Sequence, residues 1–496
     1  MEIQFSYSAL FTFLCFLFVI RKLISKKSHK SLPPGPKKLP LIGNLHQIGS
    51  LPHRSFRTLA KKYGPIMHLQ LGQLSYIIVT SKELAKEVMK THDTIFANRP
   101  KFFVGDTFLY NSTDLAFSPY GSYWRQIRKI CTLEVLSIKR VRTFRWAREE
   151  EVFALVKHIS ENQIGSVVNL SEQLQQLTNT IISRAAFGWK TKNIEKVLSA
   201  FEYVMKNALT FTIPDLYPSL EFLRVINGMK AEAEKVRKDL DTMLDTIINE
   251  HVEKKVDPTE QVEEDFVDVL LRIQKENDIE IPLTLDNIKA LILDIFIAGT
   301  EATVVATEWA MAEMVKNPKI LKKAQEEVRR VYGNKGYVDE SELHQLTYVA
   351  AVIRETLRLH PPGPLLFPRE SSEICELNGY KLPAKTKLIV NFWAIARDPE
   401  YWNEPEIFRP ERFIDSSIDY RGGNFEYMPF GAGRRICPGL SFATAVLDLV
   451  LPSLLYHFDW KLPNGKKNEE LDMSEIFLTT LRLKNGLCLV PTAYRP

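Results

Sequence analysis

Apolar positions fall into three different rhythms along the chain. The first is a continuous run. Ala9 to Ile20 is apolar except for Thr12, and Leu23 and Ile24 extend it. Crossing a bilayer takes roughly 20 residues, so Phe5 to Ile24 is just long enough. Glu2 precedes the run, and Arg21, Lys22, Lys26, Lys27 and Lys30 follow it. A cleaved leader would carry its positive charge first and end in a small-residue cleavage site, which is the competing reading. The order found here predicts an uncleaved anchor over residues 1–30, with everything after it in the cytosol. Sequons at Asn111 and Asn169 should then stay unglycosylated.

A proline segment, Leu32-Pro33-Pro34-Gly35-Pro36, comes next. Successive prolines resist helix, so residues 31–45 are expected to be a stiff spacer. The second rhythm is alternation. Met67 to Leu71 alternates, Tyr76 to Val79 is apolar and partly β-branched, and Gly72-Gln73 lies between them. A β-hairpin is expected. Thr80 and Glu83 have the spacing of a capping box for the helix that follows. The third rhythm is helical and dominates from about residue 120 to 360. Its most distinctive piece runs from Leu285 to Lys316, with Thr284 as N-cap and Asn317-Pro318 as the stop. That helix is apolar nearly all round, as in a helix buried through the middle of a large domain. The charged stretch Glu253 to Asp265 contains Pro258 and reads as a solvent-facing loop. After residue 375 short strands and loops take over. The fold class is mainly α with a minor β region, the globular domain running over 46–496.

Composition changes this picture little. Hydrophobic residues make up 45% and charged residues 25%, as in an ordinary globular protein. The net charge of +5 does not suggest nucleic-acid binding. Five cysteines are scattered without a CxxC pair, which argues against a disulfide framework and against a cysteine-rich metal site.

The chemistry concentrates near the C-terminus. Phe430-Gly431-Ala432-Gly433-Arg434-Arg435-Ile436-Cys437-Pro438-Gly439 suits a thiolate ligand. Its glycines let a backbone pass close to a flat group. Backbone N–H groups and a helix beginning just after Cys437 would stabilise a sulfur anion. Half of a dinucleotide loop is the rival, but Ile436 replaces the third glycine and no βαβ unit surrounds it.

This segment matches the pattern F-x-x-G-x-R-x-C-x-G at every fixed position, and on it the chain resembles the cytochrome P450 family. Other landmarks follow in order: Trp124 and Arg128 as W-x-x-x-R, Ala298 to Thr303, Glu355-Thr356-Leu357-Arg358 as E-x-x-R, and Arg412 in Pro410-Glu411-Arg412-Phe413. His360-Pro361-Pro362 and Asn391 to Pro399 resemble plant microsomal members, including those that oxidise terpenoids.

The resemblance implies the cytochrome P450 fold behind a single anchor helix in the endoplasmic reticulum membrane. It implies haem b held by Cys437, with Trp124, Arg128, Arg369, Phe430, Gly433, Arg435 and Gly439 about it. Glu355, Arg358 and Arg412 would form a buried structural triad. Electrons would come from NADPH through NADPH-cytochrome P450 reductase, to which Arg125 and Lys129, about 100° round the helix from Trp124 and Arg128, would present positive charge. Membrane lipid and a hydrophobic small molecule would be the remaining partners, with no nucleic acid. Ala298, Ala302, Leu365, Leu366 and Phe477 would line the substrate pocket, and Leu478 would narrow it. Gly299 would leave room for dioxygen, and Glu301 and Thr303 would serve proton delivery.

Ala302 departs from the family's motif, A/G-G-x-D/E-T-T/S, where threonine is usual. Water or a substrate hydroxyl would replace the lost group, or Thr303 would reach in through irregular helix geometry. The third reading is an enzyme that no longer activates dioxygen. Insertion of one oxygen atom into a hydrophobic compound is the expected reaction. A haem-dependent isomerase or dehydratase, and a non-catalytic haem protein that binds a ligand, are the alternatives.

Overall fold

The computed structural model describes residues 32–188, 213–253 and 263–494. The anchor expected at 1–30 lies outside them. The proline segment does not stand free. His68 N–H donates to Pro34 O at 2.9 Å. A Cβ on Gly35 would meet His68 O at 2.1 Å, so the segment is packed against the strand beyond it.

Helix α1 (Pro52–Tyr63) leads into β1 (Ile66–Leu71) and β2 (Leu74–Val79). These pair antiparallel with Leu71 opposite Leu74, which is the expected hairpin. Gly72 turns it at φ +58°, in the left-handed region. The helix after it is capped by Ser81, whose hydroxyl accepts from Leu84 N–H at 3.4 Å. Thr80 instead donates to Pro65 O, so the capping-box reading was one residue early.

Helix α2 (Ser122–Ile130), α3 (Arg145–Asn162) and α4 (Leu170–Phe187) follow. Beyond them come α5 (Met229–Glu253) and α6 (Phe266–Glu276). The loop expected over Glu253 to Asp265 falls largely outside the described residues. At its ends Glu253 closes α5, and Asp265 caps α6 by accepting from Asp268 N–H at 2.9 Å.

Helix α7 (Leu285–Lys316) has the predicted limits. Thr284 Oγ1 accepts from Asn287 N–H at 3.2 Å, and Asn287 Oδ1 accepts from Thr284 N–H at 3.0 Å. Pro318 both ends it and opens α8 (Pro318–Tyr332). Helix α9 (Thr347–Leu359) and α10 (Leu440–His457) complete the helical body. Helix α7 packs against α4, α9 and α10, which explains its apolar girth. Both α7 and α10 are apolar enough to cross a membrane, but most of each is buried inside the protein.

The minor β region is a set of small sheets. Strands β3 (Arg369–Glu370) and β4 (Lys387–Val390) join the hairpin in the order β1-β2-β4-β3. A second hairpin, β5 (Glu475–Phe477) and β6 (Leu481–Leu483), lies along α7.

Candidate functional site

The Cys437 segment folds onto itself. Gly431 N–H donates to Met428 O at 3.0 Å, and Cys437 N–H donates to Phe430 O at 2.9 Å. Gly433 sits at φ +70°, and a Cβ there would meet Met89 O at 2.2 Å. That glycine therefore serves a close backbone approach as well as the turn. Phe430 packs edge-on against Tyr420 at 5.5 Å. Burial pushes the Cys437 thiol up, while the Gly439 N–H and the Arg128 charge pull it down.

Four arginines converge beside this segment. Arg435 lies over the Trp124 ring at 4.2 Å and donates to the carbonyls of Ala97, Leu115 and Ser118. Trp124 Nε1–H donates to Leu115 O at 3.0 Å. Arg369 donates to Ala432 O at 3.0 Å and stands 3.5 Å from Asp93. Arg128 lies one helical turn beyond Trp124 on α2. Arg99, which sequence reasoning missed, donates to Ala116 O and Pro368 O.

Burial pushes Arg369 down to about 10 and Arg435 down to about 9, the latter with help from Arg369 and Arg128. Burial, Arg435 and Arg369 together lower Arg99 as well. Like charges crowded in a low-dielectric wall favour an anionic ligand. The two propionates of haem would answer that charge. The residues therefore fit haem: Cys437 would hold the iron, and Arg99, Arg128, Arg369 and Arg435 would pair with the propionates.

Cys437 and these cations share a cavity of about 370 Å³ with the middle of α7. Ala298, Ala302, Leu365, Leu366 and Phe477 all line it, as do Glu301 and Thr303. Glu301 is tied to the β5–β6 hairpin. Thr480 Oγ1 donates to its Oε1 at 2.9 Å and Thr479 Oγ1 to its Oε2 at 3.2 Å. Asp294, one more missed residue, faces the same space from α7.

Two expectations change. Leu478 is 41% exposed and is absent from the cavity wall, so it does not narrow the pocket. A Cβ on Gly299 would lie 2.7 Å from Ile182 Cδ1, so this glycine lets α7 approach α4 closely. Gly299 and Ile182 both line the cavity as well. Helix α7 is regular α-helix throughout, and Thr303 Oγ1 donates back to Gly299 O at 3.4 Å. No irregularity swings that hydroxyl into the place left by Ala302.

The triad assembles as read. Arg358 Nε donates to Glu355 Oε2 at 2.7 Å, and Arg412 Nε to Glu355 Oε1 at 2.9 Å. Both Glu355 and Arg358 are fully buried. Arg358 also donates to Ala396 O and Pro405 O, which fastens α9 to the following loops.

A family model described as Cytochrome P450 matches residues 33–489. Desmethyl-deoxy-podophyllotoxin synthase of Sinopodophyllum hexandrum is 52% identical over 98% of this chain and 96% of its own. Tabersonine 6,7-epoxidase isoform 1 of Catharanthus roseus is 50% identical over 98% of this chain and 97% of its own. Premnaspirodiene oxygenase of Hyoscyamus muticus is 49% identical over 99% of both chains. Among solved structures, a zebra fish cytochrome P450 with abiraterone superposes at a TM-score of 0.76 and 24% identity, covering 90% of this chain and 100% of that one. With the thiolate segment, the arginine cluster and the buried triad all present, the chain belongs to the cytochrome P450 family.

Proposed function

We propose that this haem-thiolate monooxygenase inserts one oxygen atom from dioxygen into a terpenoid or similarly apolar specialised metabolite. The observation that carries the reading is the cavity itself. One apolar chamber has Cys437 in its floor and Glu301 in its wall, while Leu365, Leu366 and Phe477 supply an apolar lining. Premnaspirodiene oxygenase is named for a hydrophobic hydrocarbon, which points to the same substrate class. The names of the relatives, an oxygenase and an epoxidase among them, give no support to the isomerase or the non-catalytic reading.

Cys437 would hold the haem iron, and Arg99, Arg128, Arg369 and Arg435, with Trp124, would hold its propionates. When bound, haem supplies the redox chemistry that activates dioxygen, and thiolate ligation favours O–O cleavage. Burial by itself favours the neutral thiol, so the chain's own part is to oppose that with the Gly439 N–H and the Arg128 charge, which favour the anion. Its apolar wall excludes water and orients the substrate. Glu301 would pass protons inward. Phe430, Gly433 and Gly439 would shape the loop beneath the macrocycle.

The protein would work on the cytosolic face of the endoplasmic reticulum, anchored by residues 1–30. Supporting this, Leu39, Leu41, Ile213, Phe222, Val225 and Ile226 are exposed. Tyr217 Oη donates to Leu41 O at 3.3 Å, which brings the two segments carrying them together. Arg125 and Lys129 are exposed on α2 and would meet the acidic surface of NADPH-cytochrome P450 reductase.

The test uses microsomes that carry the protein and its reductase. They are fed terpene hydrocarbons and their alcohols under isotopically heavy dioxygen. Products heavier by one oxygen and dependent on NADPH are expected. Products that form without NADPH, or with unlabelled oxygen, overturn the reading.

A further inference from the structure

Monooxygenation consumes protons: RH + O₂ + 2 H⁺ + 2 e⁻ gives ROH + H₂O. The electrons come from the reductase, but the protons must cross the cavity wall. Around the middle of α7 that wall offers few carriers. Position 302 is a methyl group. Thr303 Oγ1 is engaged with Gly299 O, and Thr300 Oγ1 donates to Ile297 O at 3.2 Å. Asp294 is taken up by the Leu115 and Ala116 N–H groups. Glu301 remains, and its carboxylate is met by two hydroxyls from a hairpin far along the chain.

We propose that Thr480 is the proton-relay residue of this enzyme and carries the hydroxyl function that Ala302 lacks. A hydroxyl both accepts and donates. When Glu301 holds a proton, Thr480 Oγ1 takes it while its own O–H proton leaves toward an acceptor in the cavity. One proton moves and the threonine ends unchanged; two such passages serve each turnover. Arg482 stands 3.8 Å from Glu301 and is partly exposed, so the carboxylate also reaches toward solvent.

The hairpin is held firmly enough for the task. Leu481 N–H donates to Pro362 O at 3.0 Å, and Leu481 O accepts from Trp309 Nε1–H at 2.8 Å. Thr480 is buried and makes the shorter of the two hydroxyl contacts to Glu301, at 2.9 Å against 3.2 Å for Thr479. A relay needs this short, fixed geometry.

The proposal rests on the monooxygenase reading, and the experiment separates the two. Purified full-length holoenzyme with reductase is given NADPH and dioxygen without substrate. Hydrogen peroxide and water are measured per NADPH oxidised, in ordinary and in deuterated water. Absence of NADPH-driven dioxygen consumption in the unaltered enzyme would count against the family reaction, and so against both. Given that consumption, Thr480→Val should raise the peroxide share on the order of tenfold, a conservative effect for losing a proton donor. Thr480→Ser should restore it. Adding Ala302→Thr to Thr480→Val should also restore it.

Hydrogen exchange of residues 475–483, measured by mass spectrometry, supplies the structural control. In Thr480→Val the hairpin amides should exchange faster. Ala302→Thr should not reverse that loosening even as the peroxide leak closes. An unchanged leak in Thr480→Val, or a leak that follows hairpin exchange in every variant, overturns the proposal.

Discussion

Asp294 and Asp114 meet carboxyl to carboxyl inside the protein. Burial and the Asp114 charge hold the Asp294 carboxyl well above the usual range. Asp294 Oδ2 also accepts the backbone N–H groups of Leu115 at 2.7 Å and Ala116 at 3.0 Å. Asp294 on α7 therefore fastens the loop that forms part of the cavity wall.

Asparagine keeps the shape and an oxygen to accept those N–H groups, and it offers an N–H beside the Asp114 carboxyl. Asp294→Asn should stay within about 1 kcal/mol of the parent protein. Asp294→Ala strands two N–H groups and the Asp114 carboxyl, and should cost about 2–4 kcal/mol. Thermal unfolding measures both. Limited proteolysis should cut the 110–118 loop faster only in the alanine variant.

Glu355 serves two arginines and the Arg409 N–H, which donates to it at 2.8 Å. Removing it leaves the fully buried Arg358 with an uncompensated charge. Glu355→Ala should lose about 3–5 kcal/mol, enough to abolish most haem-loaded protein on expression. The ratio of haem absorbance to total protein is the readout.

Glu475 links the β5–β6 hairpin to α1 through His53 Nε2 at 2.9 Å and through Arg54. Burial opposes its ionisation, but His53 and Arg54 win, and its carboxyl is brought down to about 2. A depressed acid adds stability above its unfolded value, about 4.5, and loses it as pH falls toward 2. Acid should therefore loosen this contact first over that window. Glu475→Gln should flatten the stability profile between pH 4.5 and 2, with little further change above it.

Gly299 faces Ile182 across the α7–α4 contact. Gly299→Ala gains about 1 kcal/mol of helix propensity and meets about 1–3 kcal/mol of overpacking. A net loss near 1 kcal/mol is expected by urea unfolding. Ile182→Val removes the Cδ1 methyl that obstructs, so the double variant should recover most of that loss.

The sequence alone determined whatever depends on neighbours in the chain. The ends of α7 were legible because Thr284, Asn287 and Pro318 act within one turn of where they stand. The Cys437 loop was legible because its glycines, arginine and sulfur are contiguous. Glu355 and Arg358 share a helix face at a fixed spacing. Even here a local signal slipped by a residue, where Ser81 and not Thr80 caps its helix.

Tertiary structure decided the rest. Glu301 finds Thr479 and Thr480 at separations of 178 and 179 residues. Arg99 joins the cations, Asp294 takes hold of a distant loop, Gly299 turns toward Ile182 and Leu478 turns outward. No spacing rule predicts such partners, because a side chain's polarity fixes only the kind of contact it needs. Which group answers that need is set when helices and hairpins pack and buried polar atoms must find partners in the space left between them.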